Sequence, residues 1–86
     1  MTRRRFEVVV DLKPGLADPQ GRAVEDAAPT MGWAGVSEVR VGKHISLTVE
    51  AETEEAARTL VDEMAHGLLS NPVIEDYRIL SAEEVS

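Results

Sequence analysis

The chain has 86 residues, with 9 basic and 16 acidic side chains and a formal net charge of −7. A single domain of this length buries only about 60–65% of the surface that its unfolded chain exposes, which leaves it marginally stable alone. The acidic balance argues against a nucleic-acid or anionic-membrane surface, because each of these favours a basic face. No cysteine is present, so disulfides and thiol chemistry are excluded, and association is expected to supply stability instead.

Apolar residues at every second position from Phe6 to Leu12 predict a first strand with one apolar face, which ends at Pro14-Gly15. The short basic cluster Arg3-Arg4-Arg5 is interpreted as the solvated end of this strand. No apolar run approaches the ~20 residues of a membrane span, and no signal-peptide core follows the arginines. A cytoplasmic protein without nucleic-acid or membrane partners is therefore expected.

The pair Asp18-Pro19 is typical of a helix start, because aspartate accepts hydrogen bonds from first-turn amides and proline fits the first helical position. Residues at helical spacing then predict one apolar helix face, made of Val24, Ala27, Ala28 and Met31. Pro29 cannot donate a hydrogen bond to the preceding turn. The helix is therefore expected to stop near Ala28 or to bend there.

Apolar and polar residues alternate from Glu38 to Val41 and again from Ile45 to Val49, on either side of Gly42-Lys43. The two runs predict two strands joined by a hairpin turn at Gly42, because glycine reaches positive φ without steric cost. A phosphate-binding loop is rejected on spacing. Such a loop needs glycine and a hydroxyl residue where this chain has Ser37 and His44.

Thr53 is predicted to cap a second helix, with Glu54 and Glu55 in its first turn. Its expected apolar face consists of Ala57, Leu60, Val61, Met64 and Leu68. Asn71-Pro72 is expected to end this helix, and residues 73–80 are predicted to form the last strand, followed by a frayed tail over 81–86.

The resulting order, β-α-β-β-α-β, predicts one α+β domain over residues 1–86. Its expected fold is ferredoxin-like, with two helices on one face of an antiparallel sheet. The other face of the sheet would be mixed and largely polar, open either to solvent or to a partner.

No catalytic constellation is recognisable in the sequence. His44 and His66 are the only histidines and lack ligands at metal spacing, so both are interpreted as solvated or locally bonded. The paired acids are adjacent in sequence and therefore point to different sides of a helix or strand. Trp33, the only tryptophan, is expected to cover a core edge or an oligomer contact. No metal or cofactor is expected on this chain.

Three segments, taken in order and spacing, resemble the PurS family. They are D-P-Q-G at 18–21, V-x-x-V-R-V-G-K at 36–43 and L-L-S-N-P-V-I-E-D-Y at 68–77. PurS is the small subunit of phosphoribosylformylglycinamidine synthase, which acts in purine biosynthesis. The resemblance implies a non-catalytic, homo-oligomeric subunit that joins a glutaminase subunit to an ATP-dependent synthetase subunit and helps ammonia pass between them. It also implies that ATP and magnesium belong to the synthetase.

The positions that match the family divide into two sets. Fold roles are predicted for Asp18, Pro19, Gly21, Gly42, Asn71 and Pro72. Interface roles, with plain solvation as the alternative, are predicted for Gln20, Arg40, Lys43, Glu75, Asp76 and Tyr77.

A second hypothesis remains open from the sequence. A regulatory domain similar to the amino-acid-binding ACT domains would hold a small ligand near the first strand–helix junction, over residues 14–21. The glycines and helix amides there could bind a carboxylate.

Overall fold

A computed structural model describes residues 1–85, and the side chain of Ser81 lies outside the described part. The elements are β1 (Thr2–Leu12), α1 (Pro19–Ala27), a 3₁₀ turn (Pro29–Met31), β2 (Lys43–Ala51), α2 (Glu54–Met64), a π turn (Ala65–Leu69) and β3 (Glu75–Val85). The predicted fold class is confirmed: α+β, ferredoxin-like, with two helices and an antiparallel sheet. No helix among these residues has the length and apolarity to cross a membrane.

Strand β1 is the centre of the sheet, whose strand order over residues 1–85 is β2-β1-β3. Both neighbours run antiparallel to it, and Phe6 lies opposite Leu47 on one side and Ala82 on the other. The pairing of β1 with β3 shifts between Glu7 and Val8, which leaves Leu80 as an extra residue in β3. This β-bulge explains why the apolar alternation of the last strand is out of phase around Leu80.

The hydrophobic core lies between the inner face of the sheet and α2. Strand β1 supplies its largest side chains, because Phe6 and Val8 are fully buried and Val10 nearly so. The remaining buried members come from β2 and from the helical region that follows it: Val49, Ala51, Ala57, Val61 and Ala65. The predicted apolar face of the first strand is confirmed, and the Thr53 hydroxyl caps α2 as predicted, 3.0 Å from the amide of Ala56.

The predicted hairpin at Gly42 is wrong. Residues 36–42 form no sheet strand. Their successive contacts lie first along α1 and then, at Gly42, at the end of β1, so the chain enters β2 without reversing. Gly42 does not have a positive φ. It is needed because a Cβ there would collide with the Asp11 carboxylate and the Val10 carbonyl. Alternation alone does not distinguish two paired strands from one long extended segment.

The predicted frayed tail is also corrected. Strand β3 continues to Val85, which lies opposite Arg3, so residues 81–85 belong to the sheet by their backbone; Ser86 lies outside the described residues. Strand β1 likewise begins at Thr2 and includes the arginine cluster. Arg4 points to the half-buried inner face, where its Nε atom has no hydrogen-bond partner among the described residues.

Helix α1 packs against the 36–42 segment through a buried glycine. A Cβ on Gly21 would collide with the carbonyl oxygen of Val39, so only glycine allows this close approach. The helix stops at Ala27 with Ala28 as its C-cap, and the amide of Trp33 then bonds the carbonyl of Ala28 at 3.0 Å. Pro29 therefore ends the helix, which is the first of the two outcomes that the sequence allowed.

The molecule is elongated. Its radius of gyration is 16.7 Å and its extents are 52 × 29 × 14 Å, whereas a compact domain of this length has a radius of gyration of about 12 Å. Of the apolar face predicted for α1, Ala28 is buried, but Val24 is 50% and Met31 is 65% exposed. The fold thus leaves apolar surface open that a more compact domain would bury.

We predict that Gly21→Ala destabilises the fold by about 1–3 kcal/mol, because the added methyl group overpacks the contact between α1 and residue 39. Gly67→Ala is the matched control. A Cβ on Gly67 meets nothing within 4 Å, so that change should range from neutral to a gain of about 1 kcal/mol. Chemical denaturation of both variants measures the difference, and equal stabilities would contradict the packing described for Gly21.

Candidate interaction surfaces

One end of the sheet collects the predicted interface residues, and we call it the corner surface: Gln20, Arg40, Lys43, Glu75, Asp76 and Tyr77. Three of them, Gln20, Lys43 and Glu75, line one depression of about 400 Å³ beside Asp18 and Pro19. The strand register brings Lys43 and Glu75 together, because they lie opposite Val10 and Leu12 of the central strand. Their charged atoms are 3.8 Å apart.

Asp76 and Tyr77 occupy opposite faces of β3. Asp76 is exposed, and its carboxylate lies 3.7 Å from the Lys13 ammonium group. Tyr77 is half-buried on the inner face, and its hydroxyl donates a hydrogen bond to the Asp62 carboxylate of α2. This bond, followed by desolvation, raises the pKa of Tyr77 above its usual value. Tyr77 therefore ties β3 to α2, which is a fold role in addition to any contact with a partner.

Arg40 is engaged within the chain. Its guanidinium group donates to the carbonyl oxygens of Leu16 at 2.9 Å and Lys13 at 3.2 Å. Both carbonyls belong to the connection between β1 and α1. Arg40 therefore holds this connection against the 36–42 segment, and its side chain remains exposed at the surface.

Asp18 lies beside the corner surface and joins two segments through its carboxylate. One carboxylate oxygen accepts from the amide of Gly21 at 2.9 Å, and the other accepts from the amide of Val41 at 2.8 Å. These two hydrogen bonds lower the pKa of Asp18 below its usual value. The bond from Gly21 has the larger effect and the bond from Val41 the next. The predicted cap is confirmed, with Pro19 as the first helical residue, and the link to Val41 is a contact that sequence reasoning missed.

A groove of about 680 Å³ lies between residues 14–25 and residues 38–40. This is where the ligand of an ACT-like domain was expected. Two of the groups available to an anion there are already used, because Asp18 accepts from the Gly21 amide and Arg40 donates to backbone carbonyls. The Gly21 amide and the Arg40 guanidinium group, two of the donors on which that hypothesis depended, are therefore already bonded.

The turn before β3 is tied to itself by Asn71. The Asn71 carbonyl accepts from the amides of Ile74 at 3.0 Å and Glu75 at 2.7 Å, while its side-chain oxygen accepts from Val73 at 3.1 Å. Helical geometry ends at Leu69, immediately before this turn, as the Asn71-Pro72 signal predicted. The side chain of Val73 in this turn is 79% exposed to solvent. Sequence reasoning did not identify this exposed apolar residue.

The uncovered outer face of the sheet carries alternating polar residues, as predicted. His44 lies there with its Nε2 atom 3.3 Å from the Glu7 carboxylate, and Arg78 lies 3.4 Å from Asp11. Among residues 1–85, no three His, Cys, Asp or Glu side chains come together as metal ligands. His66 is exposed in the π turn, away from His44 in the sheet.

The comparisons with known proteins agree with the sequence motifs. Residues 5–83 match the family model described as PurS, phosphoribosylformylglycinamidine (FGAM) synthase. The PurS subunit of this synthase from Bacillus subtilis is 44% identical over 81 residues, which cover 94% of each chain. The solved structure of PurS from Thermus thermophilus has a TM-score of 0.86 at 38% identity, covering 98% of this chain and 99% of that one.

A third match comes from a larger assembly. A chain in the structure of PurLQS from Thermotoga maritima has a TM-score of 0.83 at 33% identity. The alignment covers 99% of this chain and all of that one. The likeness therefore extends over the whole chain and is not confined to the three motifs.

We predict that Asp18→Asn destabilises the protein at neutral pH and that the difference from the unchanged protein shrinks in acid. The asparagine keeps one acceptor oxygen and loses the other. Because the folded pKa of Asp18 is lowered, its stabilisation is complete above the ordinary value of about 3.9 and is lost as the pH falls through the folded pKa. Denaturation at several pH values measures the difference.

Thr53→Ala is the control for this pH dependence. It removes the cap of α2, where the hydroxyl accepts from Ala56, at a cost of about 1 kcal/mol. A hydroxyl does not titrate in this range, so the cost should be the same at each pH. A constant penalty for Asp18→Asn from neutral to strongly acidic pH would contradict the role assigned to its carboxylate.

We predict that Tyr77 titrates above the ordinary tyrosine pKa of about 10. It is the only tyrosine, so ultraviolet absorbance of the phenolate reports on this side chain alone. Asp62→Asn removes the charged acceptor and should lower the midpoint towards the ordinary value. Glu63→Gln, on an exposed neighbour in α2, should leave the midpoint unchanged.

The stability linked to Tyr77 is lost in alkali, whereas the stability linked to Asp18 is lost in acid. Because its folded pKa is raised, the stabilisation is complete below about pH 10 and is lost as the pH rises through the folded value. An identical midpoint in the Asp62 and Glu63 variants would show that the bond to Asp62 does not control this titration.

Proposed function

The chain belongs to the PurS family, and from that premise we propose that it is a subunit of phosphoribosylformylglycinamidine synthase in purine biosynthesis. The family match over residues 5–83 carries this proposal. The likeness to a whole chain of the PurLQS structure supports it further, since that structure contains PurS within a larger complex.

We propose that the subunit acts by holding other proteins together and performs no chemistry itself. It associates with further copies of itself and bridges a glutaminase subunit and an ATP-dependent synthetase subunit, which helps ammonia pass between them. Holding two enzymes on one bridge raises their effective concentration. ATP and magnesium are assigned to the synthetase and no cofactor to this chain, and the complex is placed in the cytoplasm.

The open surfaces of the chain support a binding role. Apolar side chains are exposed in several elements: Val24 on α1 at 50%, Trp33 after the 3₁₀ turn at 61%, Leu68 in the π turn at 74% and Val73 in the Asn71 turn at 79%. Exposed apolar side chains are typical of contact sites between proteins when they lie together. The corner surface adds several charged groups, which suit specific recognition of a partner.

The ACT-like alternative is not favoured. It requires free amides and charged donors at the first strand–helix junction, and those of Gly21 and Arg40 are already bonded. Calorimetry with amino acids and nucleotides separates the two hypotheses, because a saturable heat would support a ligand-binding domain.

Reconstitution tests the proposal. Mixing this chain with the glutaminase and synthetase subunits should switch on glutamine-dependent synthesis, while the chain alone should have neither glutaminase nor ATPase activity. Gln20→Trp, at an exposed position of the corner surface, should raise the concentration needed for half-maximal activity by about tenfold, the effect of losing about 1.4 kcal/mol of binding.

Asp26→Trp is the control, because Asp26 is also exposed on α1 and lies outside the corner surface. It should leave the activity curve unchanged. Synthesis that proceeds equally well without this chain would overturn the proposed function. Equal curves for both variants would instead move the contact away from the corner surface.

A further inference from the structure

Residues 14–41 leave the sheet and return to it at the same end, and we call them the arm. Before the arm, the Lys13 amide donates to the Ile74 carbonyl at 2.8 Å. After it, Gly42 packs so closely against the Val10 carbonyl that a Cβ would collide with it. Helix α1 and the chain that follows it are therefore held between two anchors at one end of the sheet.

The arm takes no part in the main core. No described side chain of residues 14–41 belongs to the hydrophobic cluster between the sheet and α2. Within the arm only Gly21 and Ala28 are buried, and residues this small bury little apolar surface. Glu38 lowers the stability of the arm further, because its φ of 56° is unfavourable for a residue other than glycine. Segments with few buried apolar contacts open at a lower free energy than the core does.

Three side chains fasten the incoming half of the arm to its outgoing half. The contacts are Arg40 with the carbonyls of Leu16 and Lys13, at 2.9 and 3.2 Å, Asp18 with the amide of Val41, at 2.8 Å, and Glu25 with the amide of Glu38, at 3.0 Å. Each contact joins a residue before or within α1 to a residue of the 36–42 segment. Because the two halves share these contacts, release of one half also releases the other.

We propose that the arm opens and closes as one unit while the sheet and α2 stay folded, and that a partner subunit bound at the corner surface holds it closed. The corner surface spans both parts of the molecule, because Gln20 and Arg40 belong to the arm and Lys43 and Glu75 to the sheet. Opening separates these two sets of residues. A protein that contacts both sets therefore binds the closed form and shifts the population towards it.

This inference rests on the proposed function, because the partners that it names are the glutaminase and synthetase subunits. It adds a conformational step to their binding. The arm is ordered by the same contact that assembles the complex, so binding and closure are linked in free energy.

Hydrogen exchange in the full-length protein tests the arm as a unit, read by mass spectrometry of the peptides that contain each reporter amide. The reporters are Ala28, whose amide bonds the Val24 carbonyl, and Val41, whose amide bonds Asp18. Both should have the same protection factor, at least about tenfold below that of Phe6 in β1, because one opening exposes both amides while the core stays closed.

Arg40→Gln removes one fastening and leaves the Asp18 cap of α1 in place. It should speed exchange at Ala28 and Val41 by the same factor, about tenfold or more, because hydrogen bonds to a charged group are lost. Arg22→Gln is the matched control, since Arg22 pairs with Asp26 of the same helix and does not join the two halves. It should change exchange by no more than about twofold. Exchange at Phe6 should be the same in both variants, which shows that the sheet is intact.

The second measurement adds the glutaminase and synthetase subunits to the unchanged protein. At a concentration of partners about ten times that needed for half-maximal synthesis, exchange at Ala28 and Val41 should slow by about tenfold, because the bound form does not open. Glutamine-dependent synthesis is measured in the same mixture.

The outcomes separate the parts of the inference. Exchange at Ala28 and Val41 as slow as at Phe6 would overturn separate opening of the arm. Faster exchange at Val41 alone in Arg40→Gln would overturn opening as one unit. Restored synthesis without slower exchange in the arm would overturn the link to the partner, while the proposed function stands. If synthesis is not restored, the proposed function and the link to the partner both fail, and the two variants still decide whether the arm opens as one unit.

Discussion

The structure depends on the burial of one strand. Phe6, Val8 and Val10 of β1 are the centre of the core, and β1 also pairs with both other strands. Each fully buried side chain of this size contributes about 1.5–3 kcal/mol relative to the exposed state. With so few large residues buried, polar contacts between distant segments add to the strand pairing and the core, such as Asp18 to Val41 and Tyr77 to Asp62.

This constraint agrees with the binding role proposed for the chain. Few large side chains are fully buried, and among residues 1–85 the elongated shape leaves two sheet edges and one sheet face uncovered. A chain built in this way has surface available for several neighbours at once. The bridging role proposed for it requires such an arrangement, because a bridge must contact more than one protein without blocking either contact.

The sequence predicted those features that depend on neighbouring residues. The caps at Asp18 and Thr53, the stop at Pro29 and the apolar face of β1 follow from local rules, and each is confirmed. The hairpin at Gly42 failed because the same alternation fits one long extended segment. The need for glycine there comes from Asp11, about thirty residues earlier in the chain, a contact that only the tertiary structure reveals.

The sequence proposed members for the candidate site but could not supply its geometry. The family resemblance supplied the corner residues, and the strand register then brought Lys43 and Glu75 together. The internal bonds of Arg40 and Tyr77 had no local signal, since their partners lie in distant segments. The π turn at Ala65–Leu69 was missed for a different reason. Its hydrogen bond from residue i to residue i+5 is not marked by any recognisable residue pattern.

The position of Trp33 has a practical consequence. As the only tryptophan, with most of its ring in solvent, it is an intrinsic fluorophore placed just beyond the first helix. Any neighbour that covers the indole shifts its emission towards shorter wavelengths, so assembly at that side of the molecule can be followed without a dye.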